Sequence, residues 1–303
     1  MRLERVVIGM DFSTAATAAA AWTARHFAPD AELVLVHAIV VPEVPRFLRD
    51  RTPPTDTLIA TARLGANQRM RELSASLGAR LIWPDIRVGP AAEQIAKACD
   101  EYDADVAVVG AHGVRPARWG RLGSTAEQLV RMAPVPVLLA SALRNAPPRQ
   151  ILVPVNDSDL GPWVVRWARF LAERFGAHAT VVYVVGPAVF STVLSMTTVG
   201  TGSREAGPET VRTELLAETD QWLARLLADE DDRDAITTTV VFGEPGEEIV
   251  AAAKRLNADL IVMGSRGLKG IPRLVLGSVA SHVLRHAPCP TLVVKAPEDE
   301  IVD

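Results

Sequence analysis

Residues 260–278 begin Leu260-Ile261-Val262-Met263-Gly264-Ser265-Arg266-Gly267 and, nine residues later, end in Gly277-Ser278. Four apolar residues make a buried strand, two glycines open a loop, and Gly277 stands at the start of a helical pattern. The same spacing recurs at Gly110, Gly113 and Gly123-Ser124, with every position displaced by 154. A motif repeated at fixed spacing marks a duplicated unit, because ordinary turns drift in length. Other pieces share the displacement: Val88-Gly89-Pro90 before Ile95 answers Phe242-Gly243-Glu244-Pro245 before Ile249, and Ala104-Asp105-Val106 answers Ala258-Asp259-Leu260. Each copy opens on an apolar run, Val6-Val7-Ile8-Gly9-Met10-Asp11 and Ile151-Leu152-Val153-Pro154-Val155-Asn156, displaced by only 145. The second copy therefore holds nine extra residues, which fit best after Val185. Two domains are expected, residues 1–145 and 146–303.

Within a copy, short β-branched runs alternate with helical patterns. Strands are expected near Arg5–Met10, Glu32–Ile39, Leu81–Val88, Asp105–Val109 and Val135–Ala140, with helices near Ala15–His26, Thr57–Leu77, Ala91–Tyr102 and Thr125–Met132. The second copy offers strands near Gln150–Val155, Thr180–Val185, Ala235–Val241, Leu260–Met263 and Thr291–Lys295. Alternation of this kind builds an α/β fold: a doubly wound parallel sheet with helices on both faces, twice over. Ligands of such sheets sit beyond the carboxyl ends of the strands where strand order reverses, and Asp11, Asn156 and both glycine patterns fall at strand ends.

The 303 residues suit two domains at roughly 100–200 residues each. With 49% hydrophobic and 22% charged residues, a disordered chain, a fibre and a disulfide scaffold are all excluded. The net charge of −4 is too balanced for a protein that grips nucleic acid through a basic face. Cys99 and Cys289 lie far apart with no CxxC, as expected of buried thiols in a reducing cytoplasm. Met1–Met10 has too short an apolar run for an export signal. No charged side chain occurs between Ala177 and Ser203. Gly186-Pro187 and the hydroxyls of Ser191, Thr192, Ser195, Thr197 and Thr198 argue for a strand followed by a charge-free loop or short helix rather than a membrane span.

A strand, a glycine-rich loop and a helix start form an anion cradle. Glycines let backbone N–H groups approach the ligand and permit left-handed φ, and the helix start adds about half a positive charge. Phosphate is the expected chemistry. Neither GxxxxGK[ST] nor a GxGxxG after a first strand occurs, so P-loop and dinucleotide enzymes recede.

On these residues the chain resembles the universal stress protein family in its tandem two-domain form, over nearly its whole length. The resemblance is carried by the Gly-x2-Gly-x9-Gly-[Ser/Thr] spacing, the Met10-Asp11 strand end and the run from Ala258 to Gly267. The second copy adds Gly277-Ser278-Val279-Ala280 and the run from Leu284 to Pro290, whereas Val109-Gly110-Ala111-His112-Gly113 is a looser match. It implies a Rossmann-like, adenine nucleotide alpha hydrolase-like fold, a regulatory or stress-response role, and ATP or another adenine nucleotide in each copy, with or without Mg²⁺. By motif position, Asp11 and Asn156 meet the base and the backbone of Ala38 and Val184 reads the adenine edge. Ribose and phosphates fall to Gly110, His112, Gly113, Gly123, Ser124 and Thr125 in the first copy, and to Gly264, Arg266, Gly267, Gly277, Ser278 and Val279 in the second.

Two departures stand out. Asn156 occupies the place of the family's Asp, with Asp157 one position later; an amide accepts hydrogen bonds without charge assistance. Arg118, Trp119 and Arg121 sit inside the first loop, either as phosphate contacts or as a solvated basic turn.

His282 and His286 share a helix face, but no third ligand accompanies them, so no metal is assigned. His112 stands where Arg266 stands in the other copy, as a phosphate contact or an exposed loop residue; His37 is read as a core or rim residue. Ser124 and Ser278 are read as helix N-caps rather than nucleophiles. No catalytic residue is assigned. Three functions stay open: a nucleotide-binding regulatory protein, a slow ATP hydrolase, and a nucleotide-free scaffold. The apolar last strands, Val135–Leu139 and Pro290–Val294, would be aggregation-prone if exposed, and the resemblance suggests that they pair in an intramolecular pseudo-dimer, with a homodimer as a further assembly.

Overall fold

A computed structural model describes residues 1–41, 53–78, 81–111, 113, 122–200, 207–228, 236–265 and 276–295, without the side chains of 197–200. By contacts it divides into two units, Met1–Pro147 joined by the chain from Pro290, and Pro148–Cys289.

The first unit runs β1 (Arg5–Gly9), α1 (Thr14–Trp22), β2 (Glu32–Ile39), α2 (Thr55–Leu77), β3 (Leu81–Val88), α3 (Ala91–Glu101), β4 (Val106–Gly110), α4 (Ser124–Met132) and β5 (Val137–Ala140). Strand β10 (Thr291–Val294) completes it. The strand order is β3-β2-β1-β4-β5-β10. Its pairs are parallel except the last, where Leu292 faces Leu138 and Val293 faces Val137 in antiparallel register. The order reverses between β1 and β4, which opens a crevice beyond their carboxyl ends.

The second unit runs β6 (Gln150–Val155), α5 (Gly161–Phe175), β7 (His178–Val185), α6 (Pro187–Gly200), α7 (Pro208–Leu226), β8 (Ile236–Phe242), α8 (Pro245–Arg255), β9 (Leu260–Gly264) and α9 (Ser278–His286). The order β9-β6-β7-β8 is parallel throughout and reverses between β6 and β9.

Helices cover both faces of each sheet, so the central strands are apolar along their length rather than alternating. Val6, Val7, Ile8, Val106, Ala107 and Val108 are wholly buried, as are Leu260, Ile261 and Val262 in the second unit. In α5 the buried residues Val164, Val165, Ala168, Leu171 and Ala172 recur three and four apart, the stripe of a helix lying on a sheet. It stops at Gly176, whose left-handed φ of 57° caps the last turn. The helix pattern expected from Ala15 to His26 is split: α1 ends at Trp22 and passes into a π-helical turn, Thr23–Phe27.

The charge-free stretch after Val185 is a helix, α6. Phe190, Val193 and Leu194 pack on Val185, Val211 and Leu215, which accounts for the apolar residues of that face, while Val189, Ser191, Thr192, Ser195 and Met196 are exposed. Among the described residues no helix is long and apolar enough to cross a membrane.

Candidate functional site

Each unit carries a cavity at its point of strand-order reversal. The first, of about 310 Å³, is lined by Asp11, Ala38, Gly110, Gly113, Gly123, Ser124 and Thr125. The second, of about 350 Å³, is lined by Asn156, Val184, Gly264, Gly277, Ser278 and Val279. Thirteen of the sixteen residues singled out in the sequence thus converge on two equivalent places. His112, Arg266 and Gly267 lie outside the described residues, as do Arg118, Trp119 and Arg121.

One wall of each cavity is an open strand edge. In a parallel strand the backbone groups of alternate residues face the same neighbour. Val36 faces β1, since its carbonyl accepts from Met10 N at 2.8 Å. Ile39 faces the other way, its carbonyl accepting from Gly89 N at 3.0 Å. Ala38 therefore presents its N–H and C=O on the β1 side, two residues past the point where Gly9, the end of β1, aligns with Val36. Val184 is placed in the same way beyond β6, with the carbonyl of Val185 turned aside to Gly243 N at 3.2 Å.

The opposite wall is a helix start. The first turn of any helix leaves backbone N–H groups without intrahelical partners. In α1 the Ser13 hydroxyl accepts one of them, from Ala16 N at 3.1 Å. At α4 and α9 the N-cap residue has no side chain to do so, because the N-caps are Gly123 (φ −61°, ψ 138°) and Gly277 (φ −62°, ψ 154°). This corrects the expectation that Ser124 and Ser278 are N-caps: each is the first helical residue, and the preceding glycine keeps the approach to the amides clear.

The glycine expectation also needs a correction. Gly113 does not have a left-handed φ. What it supplies is room, for a Cβ there would stand 2.8 Å from Asp11 Oδ2. Beside the cavities, positive φ falls instead to the repeated pair Gly89 (φ 137°) and Gly243 (φ 148°), just before α3 and α8. Those helices bring Ala91 and Ile95 to the first cavity, and Pro245 and Ile249 to the second. The Gly-Pro pieces thus form part of the site, a role that their repetition signalled without defining.

The two cavities differ at the mouth. In the first, His37 Nδ1 donates to the Met10 carbonyl at 2.7 Å, and its ring lies 4.7 Å from that of Phe12. Phe12 has a φ of 60°, an uncommon conformation for an aromatic residue and one that a packed surrounding must hold. In the second, Tyr183 replaces His37 in register, and its hydroxyl is pushed above the ordinary phenol range by burial and by the charge of Asp157. His282 and His286 stack at 4.3 Å, and among the described residues no group of three or more His, Cys, Asp or Glu is set to hold a metal.

A doubly wound α/β unit with a crevice between an open strand edge and a helix start, present twice in one chain, defines a class of tandem α/β proteins. The chain belongs to the universal stress protein family, whose model matches residues 2–141 and again 148–295. It is 34% identical over 167 residues to the universal stress protein MJ0531 of Methanocaldococcus jannaschii, a match covering 54% of this chain and 92% of that protein. It is also 34% identical over 151 residues to the universal stress protein Sll1388 of Synechocystis, covering 48% of this chain and 97% of that one. Among solved structures, a universal stress protein from Archaeoglobus fulgidus superposes with a TM-score of 0.65 at 18% identity, over 99% of this chain and 98% of that chain. That likeness concerns the fold, which it extends to nearly the full length.

Proposed function

We propose that each copy binds an adenine nucleotide, ATP foremost, in its strand-end cavity, and that the protein serves a regulatory or stress-response role with little or no turnover. One observation carries the reading: an open strand edge able to read a base lies across the cavity from a helix start able to hold an anion, in both copies. The volumes fall within the roughly 300–1,000 Å³ of small-ligand sites. Val182, Pro245 and Ile249 give the second cavity apolar walls suited to a flat ring. Asp11, whose Oδ1 accepts from Ser13 N at 2.9 Å, is a carboxylate placed at the base end of the first. The phosphates fall to the amides of Ser124 and Thr125, or of Ser278 and Val279, with Mg²⁺ accompanying the triphosphate where it binds.

Calorimetric titration of ATP into nucleotide-free protein is expected to give two sites per chain, one of them lost in Gly113→Val. Unchanged stoichiometry and affinity in a folded Gly113→Val protein would mean that the first cavity is not a binding site. Turnover is expected to lie well below the roughly 1–1,000 per second of typical enzymes, since the sequence has no P-loop lysine. Sustained phosphate release at about 10 per second from pure protein would overturn that part.

A further inference from the structure

We propose that a groove on the second unit, apart from its strand-end cavity, binds a small organic cation, an ammonium or guanidinium group set against the rings of Tyr183 and Trp222 and paired with the carboxylates of Asp157 and Glu218. The groove, of about 480 Å³, runs along α7 and is lined by these four residues together with Leu215 and Arg225. Tyr183 also lines the second cavity, so the groove adjoins that cavity through a shared residue. The proposal does not depend on what the cavity binds.

Two aromatic rings supply one side. The centroids of Tyr183 and Trp222 lie 5.4 Å apart with their planes at 64°, an edge-to-face contact that engages one ring face at most. Ring faces carry negative potential and attract cations, most readily those that are weakly hydrated. Asp157 and Glu218 are exposed, and among the described residues neither forms an ion pair. The charge of Asp157 raises the pKa of the Tyr183 phenol, which sets a carboxylate beside the aromatic corner.

The first copy fills the equivalent place with a cation of its own. There Phe12 stands where Asp157 stands, and His37 where Tyr183 stands. Arg69 of α2, the helix equivalent to α7, holds its guanidinium 5.5 Å from the centre of the Phe12 ring. Arg69 precedes the wholly buried Met70, and Trp222 precedes the wholly buried Leu223. Ring and charge have therefore changed places. The first copy has the ring on the loop and the cation on the helix. The second has a carboxylate on the loop and the ring on the helix, and among the described residues no cation lies over Tyr183 or Trp222. The role that Arg69 fills in one copy is left to a ligand in the other. A hard metal ion suits the groove poorly, since ring faces stand where further oxygen ligands are needed, and among the described residues no group of three metal-ligating side chains occurs.

The test uses full-length protein labelled with nitrogen-15 and follows the Trp222 indole N–H resonance, assigned by its loss in Trp222→Phe. The probes are n-butylguanidinium and, separately, its neutral isostere n-butylurea. A saturable shift with the guanidinium and none with the urea is expected. Asp157→Asn and Glu218→Gln are each expected to weaken binding about two- to fivefold, the range of an exposed ion pair, and Arg225→Gln, which removes a like charge, to tighten it. These side chains are exposed, so the variants are expected to keep the wild-type unfolding midpoint. No saturable shift at millimolar guanidinium, an equal response to both probes, or an affinity that the double variant Asp157→Asn, Glu218→Gln leaves unchanged would overturn the proposal.

Discussion

Asp105 fixes the entry to β1 from the neighbouring strand: its Oδ2 accepts from Glu4 N at 2.7 Å and from Arg5 N at 2.9 Å. Asp259 repeats the arrangement, accepting from Arg149 N and Gln150 N, both at 3.0 Å. The repeated Ala-Asp piece is thus a register clamp, holding the strand whose far end carries Asp11 or Asn156. Bonds to a charged acceptor contribute about 1.5–3 kcal/mol, and partial exposure lets water replace some of that. Asp259→Ala is therefore expected to lower stability by about 1–2 kcal/mol, read as a reduced urea midpoint. Cys99 gives a second prediction at this scale. Burial, with a smaller contribution from Asp100, pushes its thiol from 9.0 up to about 12. Above pH 9 the unfolded chain releases a proton that the folded chain retains, so stability falls as pH rises from about 9 toward 12. Cys99→Ala is expected to flatten that part of the profile, and the wild-type thiol to react with a disulfide reagent only once the protein unfolds.

The sequence yields elements most readily where period and repetition agree. Strands β1, β4, β6 and β9 are apolar runs because helices cover both faces, and no other element of these lengths suits such runs beside glycine loops. Nine of the thirteen candidate residues that line the cavities were legible for the same reason, through spacing kept across 154 positions, whereas Asp11 and Asn156 were marked by their places at strand ends and Ala38 and Val184 only by the resemblance. Features fixed by three-dimensional packing were less legible. The π-helical turn after Trp22 breaks an alanine-rich pattern that reads as one helix. The left-handed φ of Phe12 depends on its neighbours, His37 across the mouth and Arg69, whose guanidinium lies 5.5 Å from the ring centre. Gly89 and Gly243 were visible as a repeat, but their positive φ was not; residue identity permits that conformation without requiring it. Gly243→Ala combines a φ of 148° with a Cβ 2.8 Å from Glu248 Cγ, so a loss of about 1–3 kcal/mol is expected in thermal unfolding. The start of α1, where the Ser13 hydroxyl is the cap, should lose about 1 kcal/mol in Ser13→Ala.

Strand β10 governs the first unit as a whole. It comes from the far end of the chain, yet it lies against β5 and covers an edge made of Val137, Leu138 and Leu139, all buried. Lys295, just after it, donates from Nζ to the Arg131 carbonyl at 3.2 Å and to the Ala133 carbonyl, so the strand is also fastened to the last turn of α4. That is a favourable place for a cation, where the helix presents unpaired carbonyls and partial negative charge. An apolar strand edge left open is a template for another chain. Ending the chain after Cys289 removes both the pairing and the lysine, and the truncated protein is expected to self-associate in a concentration-dependent way, seen by light scattering on size-exclusion chromatography. Lys295→Ala separates the contributions: with β10 present the edge stays covered, so a modest loss of stability is expected without a change of mass. A truncated chain that remains monomeric at all concentrations would mean that the β5 edge is protected by other means, and that β10 is not what keeps it from other chains.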